Sequence, residues 1–158
     1  MNLRKFETAH DRRVFPARGK MGVRAGPRWR STAMSISTYW IEEPWIRAIN
    51  MTEYLTLDDM RHIIADSILH LRQHPTYFLI DMSQSTGIDP HVFELSSLSE
   101  WIYHPNGRWF VYVQPNGAFK SIMKLRQRGN FKAFDERDEA LSFLQSATLN
   151  EKARANHF

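Results

Sequence analysis

The chain has 158 residues, 42% hydrophobic and 24% charged, which is enough to bury one ordinary hydrophobic core. It has no cysteine, which excludes a disulfide framework, thiolate catalysis and a cysteine-ligated zinc site. The sequence lacks both a run of ~18 apolar residues, as a membrane helix requires, and the apolar segment of a secretory signal. We therefore expect a single-domain cytoplasmic protein without a cofactor. Its oligomeric state is not predicted.

The net charge of +4 is unevenly distributed. Residues 1–33 contain nine Lys or Arg and two acidic residues, a net charge of +7, whereas the rest contains 12 basic and 15 acidic residues, a net charge of −3. The first segment mixes Arg, Gly and Pro without an apolar period, which predicts a disordered basic extension. One interpretation is a basic arm for nucleic acid or for an acidic membrane surface. We favour a flexible extension or an upstream start codon, with Met34 as the true start of the folded product. Nucleic acid binding is expected only through this arm.

Strand and helix patterns alternate over residues 34–147, and 148–158 is predicted to fray as a polar tail. In chain order the predicted elements are strands 38–43 and 45–51, helix 57–73, strand 77–82, helix 91–104, strand 108–114, helix 117–129, strand 131–134 and helix 136–147. Thr56 and Asp59 form a capping box before the first helix, and Asp89 with Pro90 suits the start of the second. The order ββαβαβαβα predicts an α/β fold, with a mixed five-stranded sheet, an N-terminal antiparallel hairpin and four helices.

Three segments carry a resemblance to a known family: FLIDMS (78–83), IDPHVFELSSL (88–98) and WFVYV (109–113). Their order, with an apolar strand ending in Asp and a helix opening soon afterwards, resembles the STAS, or SpoIIAA-like, family of bacterial anti-sigma factor antagonists. The resemblance covers about Ser37 to Ala147. It implies a non-enzymatic regulatory module that binds another protein.

The chain departs from this family at the residue that carries its switch. In the family a Ser follows the second Asp and accepts a phosphoryl group, whereas here Pro90 follows Asp89 and has no hydroxyl. Ser83, Ser85 and Thr86 lie close and could substitute. The looser relatives resemble lipid-binding folds of the CRAL-TRIO kind, which implies a second possible function, the binding of a small apolar or lipid-like ligand between sheet and helices.

The segment that follows the buried strand at 77–82 is the predicted contact face for a partner protein, because ligands of open α/β sheets bind where parallel strands end. The candidate residues are Asp81, Ser83, Ser85, Thr86, Ile88, Asp89 and Val92. A second candidate is a basic patch on the third helix, which is either a solvated face or a docking site for an acidic partner or a phosphate. It comprises Lys120, Lys124, Arg126 and Arg128.

Enzyme and metal chemistry find little support in the sequence. Asp81 could be the phosphoacceptor of a receiver-like domain, but the Mg²⁺-binding acidic pair and the Lys at a later strand end are not in the required places. Backbone N–H groups of the following turn are the simpler partners for Asp81. His70 and His74 have the spacing of metal ligands but lack a third, so no metal site is predicted.

Overall fold

The computed structural model describes residues 35–126 and 129–155. In this part of the chain the elements are β1 (Ile36–Glu42), β2 (Ile46–Leu55), α1 (Leu57–Leu71), β3 (Thr76–Ile88), a 3₁₀ helix (Pro90–Glu94), α2 (Ser96–Ile102), β4 (Gly107–Val113), α3 (Gly117–Arg126), β5 (Phe131–Phe134) and α4 (Arg137–Ala155). The five strands form one sheet in the order β1-β2-β3-β4-β5. β1 and β2 pair antiparallel and every other pair is parallel, which confirms the predicted fold class.

Helices cover the two faces of the sheet unequally. We call the face that carries α1, α2 and α3 the three-helix face; its core includes Phe78 and Phe110 from the strands and Trp101 from α2. The other, the α4 face, packs Leu79 and Val111 against a single helix. Among the helices of the described ranges, none is long and apolar enough to cross a membrane.

β3 is longer than predicted, because pairing continues past Met82. Gln84 to Ile88 pair with Thr52 to Leu55 of β2, so the segment predicted to be a loop is a strand. This pairing depends on backbone hydrogen bonds and needs no apolar alternation in the sequence. We call residues 52–55 and 84–88 together the ribbon.

The prediction of one continuous helix over 91–104 is wrong. A 3₁₀ helix begins at Pro90, with Asp89 at its N-cap as predicted, and α2 begins only at Ser96. Leu95 between them has an extended backbone conformation, with φ −65° and ψ 123°. The capping box of Thr56 and Asp59 at the start of α1 is confirmed.

The prediction that the chain frays into a polar tail from residue 148 is wrong for residues 148–155, because α4 continues to Ala155. Thr148 is buried, and Glu151 and Lys152 form ion pairs with Arg108 and Glu42. These contacts with β4 and β1 stabilise a helical end that has little apolar pattern of its own.

Candidate functional site

Asp81 lies at the end of the fully paired part of β3. It is opposite Asn50 of β2 and Val113 of β4, and β3 has no partner in β4 beyond it. Its Oδ1 atom accepts hydrogen bonds from the Ser83 backbone N (3.0 Å) and Oγ (2.6 Å), while Oδ2 accepts one from Arg137 Nη1 (2.5 Å). The expected backbone partner of Asp81 in the following segment is confirmed.

Arg137, the first residue of α4, links three strands to that helix. Besides Asp81, its guanidinium donates to Asn50 Oδ1 (3.2 Å) and to the hydroxyl of Tyr39. We name these residues the Asp81 cluster: Tyr39, Asn50, Asp81, Ser83 and Arg137. Sequence reasoning found only Asp81 and Ser83; the one available signal for the others was Asn50, a polar residue inside the apolar strand WIRAINM.

The electrostatics of the cluster keep Asp81 ionised at neutral pH. Burial raises the pKa of the Asp81 carboxyl, but the bonds from Ser83 and Arg137 outweigh burial and hold the pKa below its ordinary value. Both carboxylate oxygens accept protein hydrogen bonds, as expected for a residue that fixes local structure. Within the ranges that the structure describes, no three His, Asp or Glu side chains come together as a metal site would require.

The ribbon presents polar and aromatic side chains next to this cluster. Tyr54 is 50% exposed, and its ring lies against Gly87: a Cβ atom at Gly87 would be 3.0 Å from Tyr54 Cδ2. Ser85 Oγ donates to the Gly87 carbonyl (3.2 Å), and Thr86 is exposed. Ile88 is half-buried against the three-helix core.

The 3₁₀ helix begins beside the ribbon with a paired acid and histidine. Asp89 N donates to the Leu55 carbonyl (2.9 Å), and Asp89 Oδ1 accepts from the backbone N and Nδ1 of His91, both at 2.9 Å. The bond from the His91 backbone, and then its ring, lower the pKa of Asp89, while the bond to Asp89 raises the pKa of His91. Val92 is only 1% exposed, so a partner at this edge would not meet its side chain.

The basic patch is only partly within the described residues. Lys120 and Lys124 are exposed on α3, and Arg126 is half-buried. Arg128 lies outside the described residues, as does the predicted extension 1–33.

Comparison with solved structures gives similarities at the level of the fold. No protein-family model matches the sequence. No curated protein matches it with significance either. The structure of the anti-sigma factor antagonist SpoIIAA in its unphosphorylated form is similar to this one with a TM-score of 0.57 and 12% sequence identity, covering 70% of this chain and 97% of that protein.

A second similar structure is that of an uncharacterised DUF3478-family protein with a SpoIIAA-like fold from Shewanella loihica PV-4. Its sequence is 16% identical and its TM-score is 0.49, and the match covers 69% of this chain and 91% of the Shewanella chain. At the identity of the first match, the similarity concerns the path of the backbone. The five-stranded sheet, its mixed pairing and its four helices thus place this chain in the STAS, or SpoIIAA-like, fold.

Proposed function

We propose that the protein is a non-enzymatic module that binds another protein through the ribbon and the start of the 3₁₀ helix. The observation that carries this proposal is the ribbon, where β2 and β3 continue past the last residue that pairs with β4. The structurally similar SpoIIAA is an antagonist of an anti-sigma factor, and thus a protein that acts on another protein. The similarity supports a regulatory role of the same general kind.

The chemistry of this surface suits a specific contact. Tyr54 offers an exposed aromatic ring, and aromatic side chains are enriched at the centres of protein interfaces. Ser83, Gln84 and Thr86 are exposed around it and supply hydrogen-bonding groups. The Asp81 cluster fixes the base of the ribbon to α4, so the surface is already ordered before a partner binds.

A photo-crosslinker at Thr86 in the full chain, expressed in its native cell, tests the proposal. We expect one dominant crosslinked protein, and we expect its yield to fall at least about tenfold when Gln84→Arg and Tyr54→Ala are added, since these changes remove complementarity at the centre of a contact. The matched control places the crosslinker at Gln145, exposed on α4, and adds Ser142→Arg with Leu149→Ala. The proposal would be contradicted if both crosslinker positions captured the same partner equally, or if the ribbon substitutions left the crosslinking yield unchanged.

For a second candidate function, the binding of a small apolar ligand, the supporting observation is a buried hydrogen-bond donor without a partner in the three-helix core. The cavity beside it measures about 10 Å³, the space of about one water molecule, so its lining must move before a ligand fits. The lining includes Met51, Met60, Met123 and Trp101. Trp101 is 1% exposed, and its Nε1 has no hydrogen-bond acceptor among the residues described. Methionine side chains adapt their shape, so the cavity could open around a ligand that offers one acceptor atom to the indole N–H.

Native mass spectrometry of the protein purified from its own cell tests this candidate. An apolar ligand should co-purify, and Trp101→Phe, which removes the donor and keeps an aromatic ring, should reduce its occupancy. Met123→Leu is the control, since it nearly conserves volume and leaves the donor in place. This function would be ruled out if the purified protein carried no ligand and also failed to bind 2-heptanone added at millimolar concentration.

A further inference from the structure

The exposed side of α3 is a basic surface in which no acidic residue is interspersed. The helix Gly117–Arg126 has the sequence GAFKSIMKLR, with three cations and no carboxylate. Phe119 and Met123 are the buried residues of this helix, so the fold depends on one side of α3 and leaves the other to solvent. We define the α3 surface by the residues Tyr103, Lys120, Lys124, Leu125 and Arg126.

The cations of this surface differ from most of the others in the described residues. Elsewhere in the described residues, six Lys or Arg side chains have a carboxylate partner within 4.0 Å: Arg47, Arg61, Arg72, Arg108, Arg137 and Lys152. Lys132 lies over the rings of Phe134 and Phe143. Lys120, Lys124 and Arg126 have no ion pair with any residue that the structure describes. Their charge is therefore available to a partner.

The last turn of α3 also exposes an apolar side chain next to these cations in the chain. Leu125 is 89% exposed and stands between Lys124 and Arg126 in the chain. Tyr103 is 51% exposed and donates its hydroxyl to the Arg126 carbonyl, which places it beside the last turn of α3. An apolar centre with a charged rim is the usual composition of a protein-binding surface, and it differs from a uniformly solvated helix face.

We propose that the α3 surface docks an acidic segment of a partner protein that carries an apolar side chain between its carboxylates. The apolar side chain covers Leu125 and part of Tyr103, and the carboxylates pair with Lys120, Lys124 and Arg126. A nucleic acid backbone would satisfy the cations but leave the Leu125 side chain uncovered, which favours a peptide. This surface is separate from the ribbon, and the proposal does not depend on the function proposed above.

The test is an NMR titration of the full chain with a synthetic peptide, Glu-Asp-Glu-Leu-Asp-Glu-Phe-Asp-Glu. We expect saturable shifts of the Leu125 and Tyr103 amides. Lys120→Glu with Lys124→Glu should weaken this binding at least about tenfold, because two attractive charges become repulsive. The control pair Arg12→Glu and Arg13→Glu has the same change in net charge and should leave the affinity measured at Leu125 unchanged within about twofold.

A second variant separates the apolar contact from the charge. Leu125→Ser keeps every cation and should weaken peptide binding about fivefold, the loss expected for a partly covered aliphatic side chain. Unchanged urea unfolding in all variants establishes that they are folded. The absence of saturable shifts at Leu125 would overturn the proposal, as would full affinity in Leu125→Ser. Tighter binding of a nine-nucleotide single-stranded DNA at the same amides would also overturn it, in favour of a nucleic acid site.

Discussion

The two faces of the sheet use their side chains differently. On the three-helix face Phe78 stacks on Phe110 with ring centroids 5.0 Å apart, and Trp101 packs edge-on against both at 5.4 and 5.2 Å. On the α4 face the buried core is smaller, and an ion pair lies near each end of the helix. The first face therefore supplies most of the apolar stabilisation, and the second positions polar groups at the sheet ends.

The second end of α4 shows how closely its polar contacts are arranged. Glu151 accepts hydrogen bonds from the Tyr77 hydroxyl (2.5 Å) and from Arg108 Nε (2.7 Å). Burial, together with the adjacent Glu151 carboxylate, raises the pKa of Tyr77. With Arg137 bound to Asp81 at the opposite end, the helix is attached to the sheet by charged groups at both termini.

The largest expected effect tests the apolar half of this comparison. Phe78→Ala should lower the free energy of unfolding by about 4 kcal/mol, and Leu144→Ala on the α4 face by about 3 kcal/mol, because both side chains are fully buried and the aromatic site leaves the larger cavity. Urea unfolding at pH 7 measures both. Leu149→Ala, at a site 66% exposed, is the control and should change stability by less than about 0.5 kcal/mol. Equal losses for the two core variants would remove the distinction between the faces.

A smaller effect tests the polar half. Asp81→Asn removes the charge that faces Arg137 and should cost about 1 kcal/mol at pH 7, the usual scale for a charge-assisted hydrogen bond with partial solvent access. The pKa of Asp81 is lower in the folded state than in the unfolded chain. Its contribution is therefore present above about pH 4 and is lost as the pH falls through the folded-state pKa.

The measurement is urea unfolding of the wild type and Asp81→Asn at pH 7 and pH 2.5. The difference between the two proteins should shrink at the lower pH, where the wild-type carboxyl is also protonated. A difference that stays constant over this range would mean that the charge of Asp81 does not contribute to stability.

The smallest expected effect is a change in the pKa of His91, at the exposed start of the 3₁₀ helix. The pKa of His91 is raised by its bond to Asp89, so the His91 ring should titrate above the ordinary value of about 6.5. In Asp89→Asn the midpoint should return toward that value, which NMR of the ring protons can follow. Identical His91 midpoints in the two proteins would show that the pair is not formed in solution.

Sequence patterns predicted the parts of the fold that depend on neighbouring residues. The apolar run at 77–82 and the capping residues Thr56 and Asp59 each determine local structure, and the structure confirms them. The ribbon was not predicted, because SQSTG has no strand alternation and its pairing comes from β2. α4 extends to Ala155 through ion pairs with residues that are distant in sequence.

The candidate site was predictable to the same limited extent. Asp81 was identifiable because it ends an apolar run, whereas Arg137, 56 residues further along the chain, could be assigned to it only once α4 was placed against the sheet. Val92 was placed on the predicted contact face because one regular helix was expected after Asp89, whereas the segment is a 3₁₀ helix that buries the Val92 side chain.

β3 runs without interruption from the interior of the molecule to its edge, and its two parts should differ in local motion. From Phe78 to Asp81 it pairs with both β2 and β4, whereas from Gln84 to Ile88 it pairs with β2 and not with β4. Amide hydrogens in the second part should exchange with solvent through small openings that leave the first part closed. The outer end of β3 can thus open locally while the centre of the same strand keeps the domain intact.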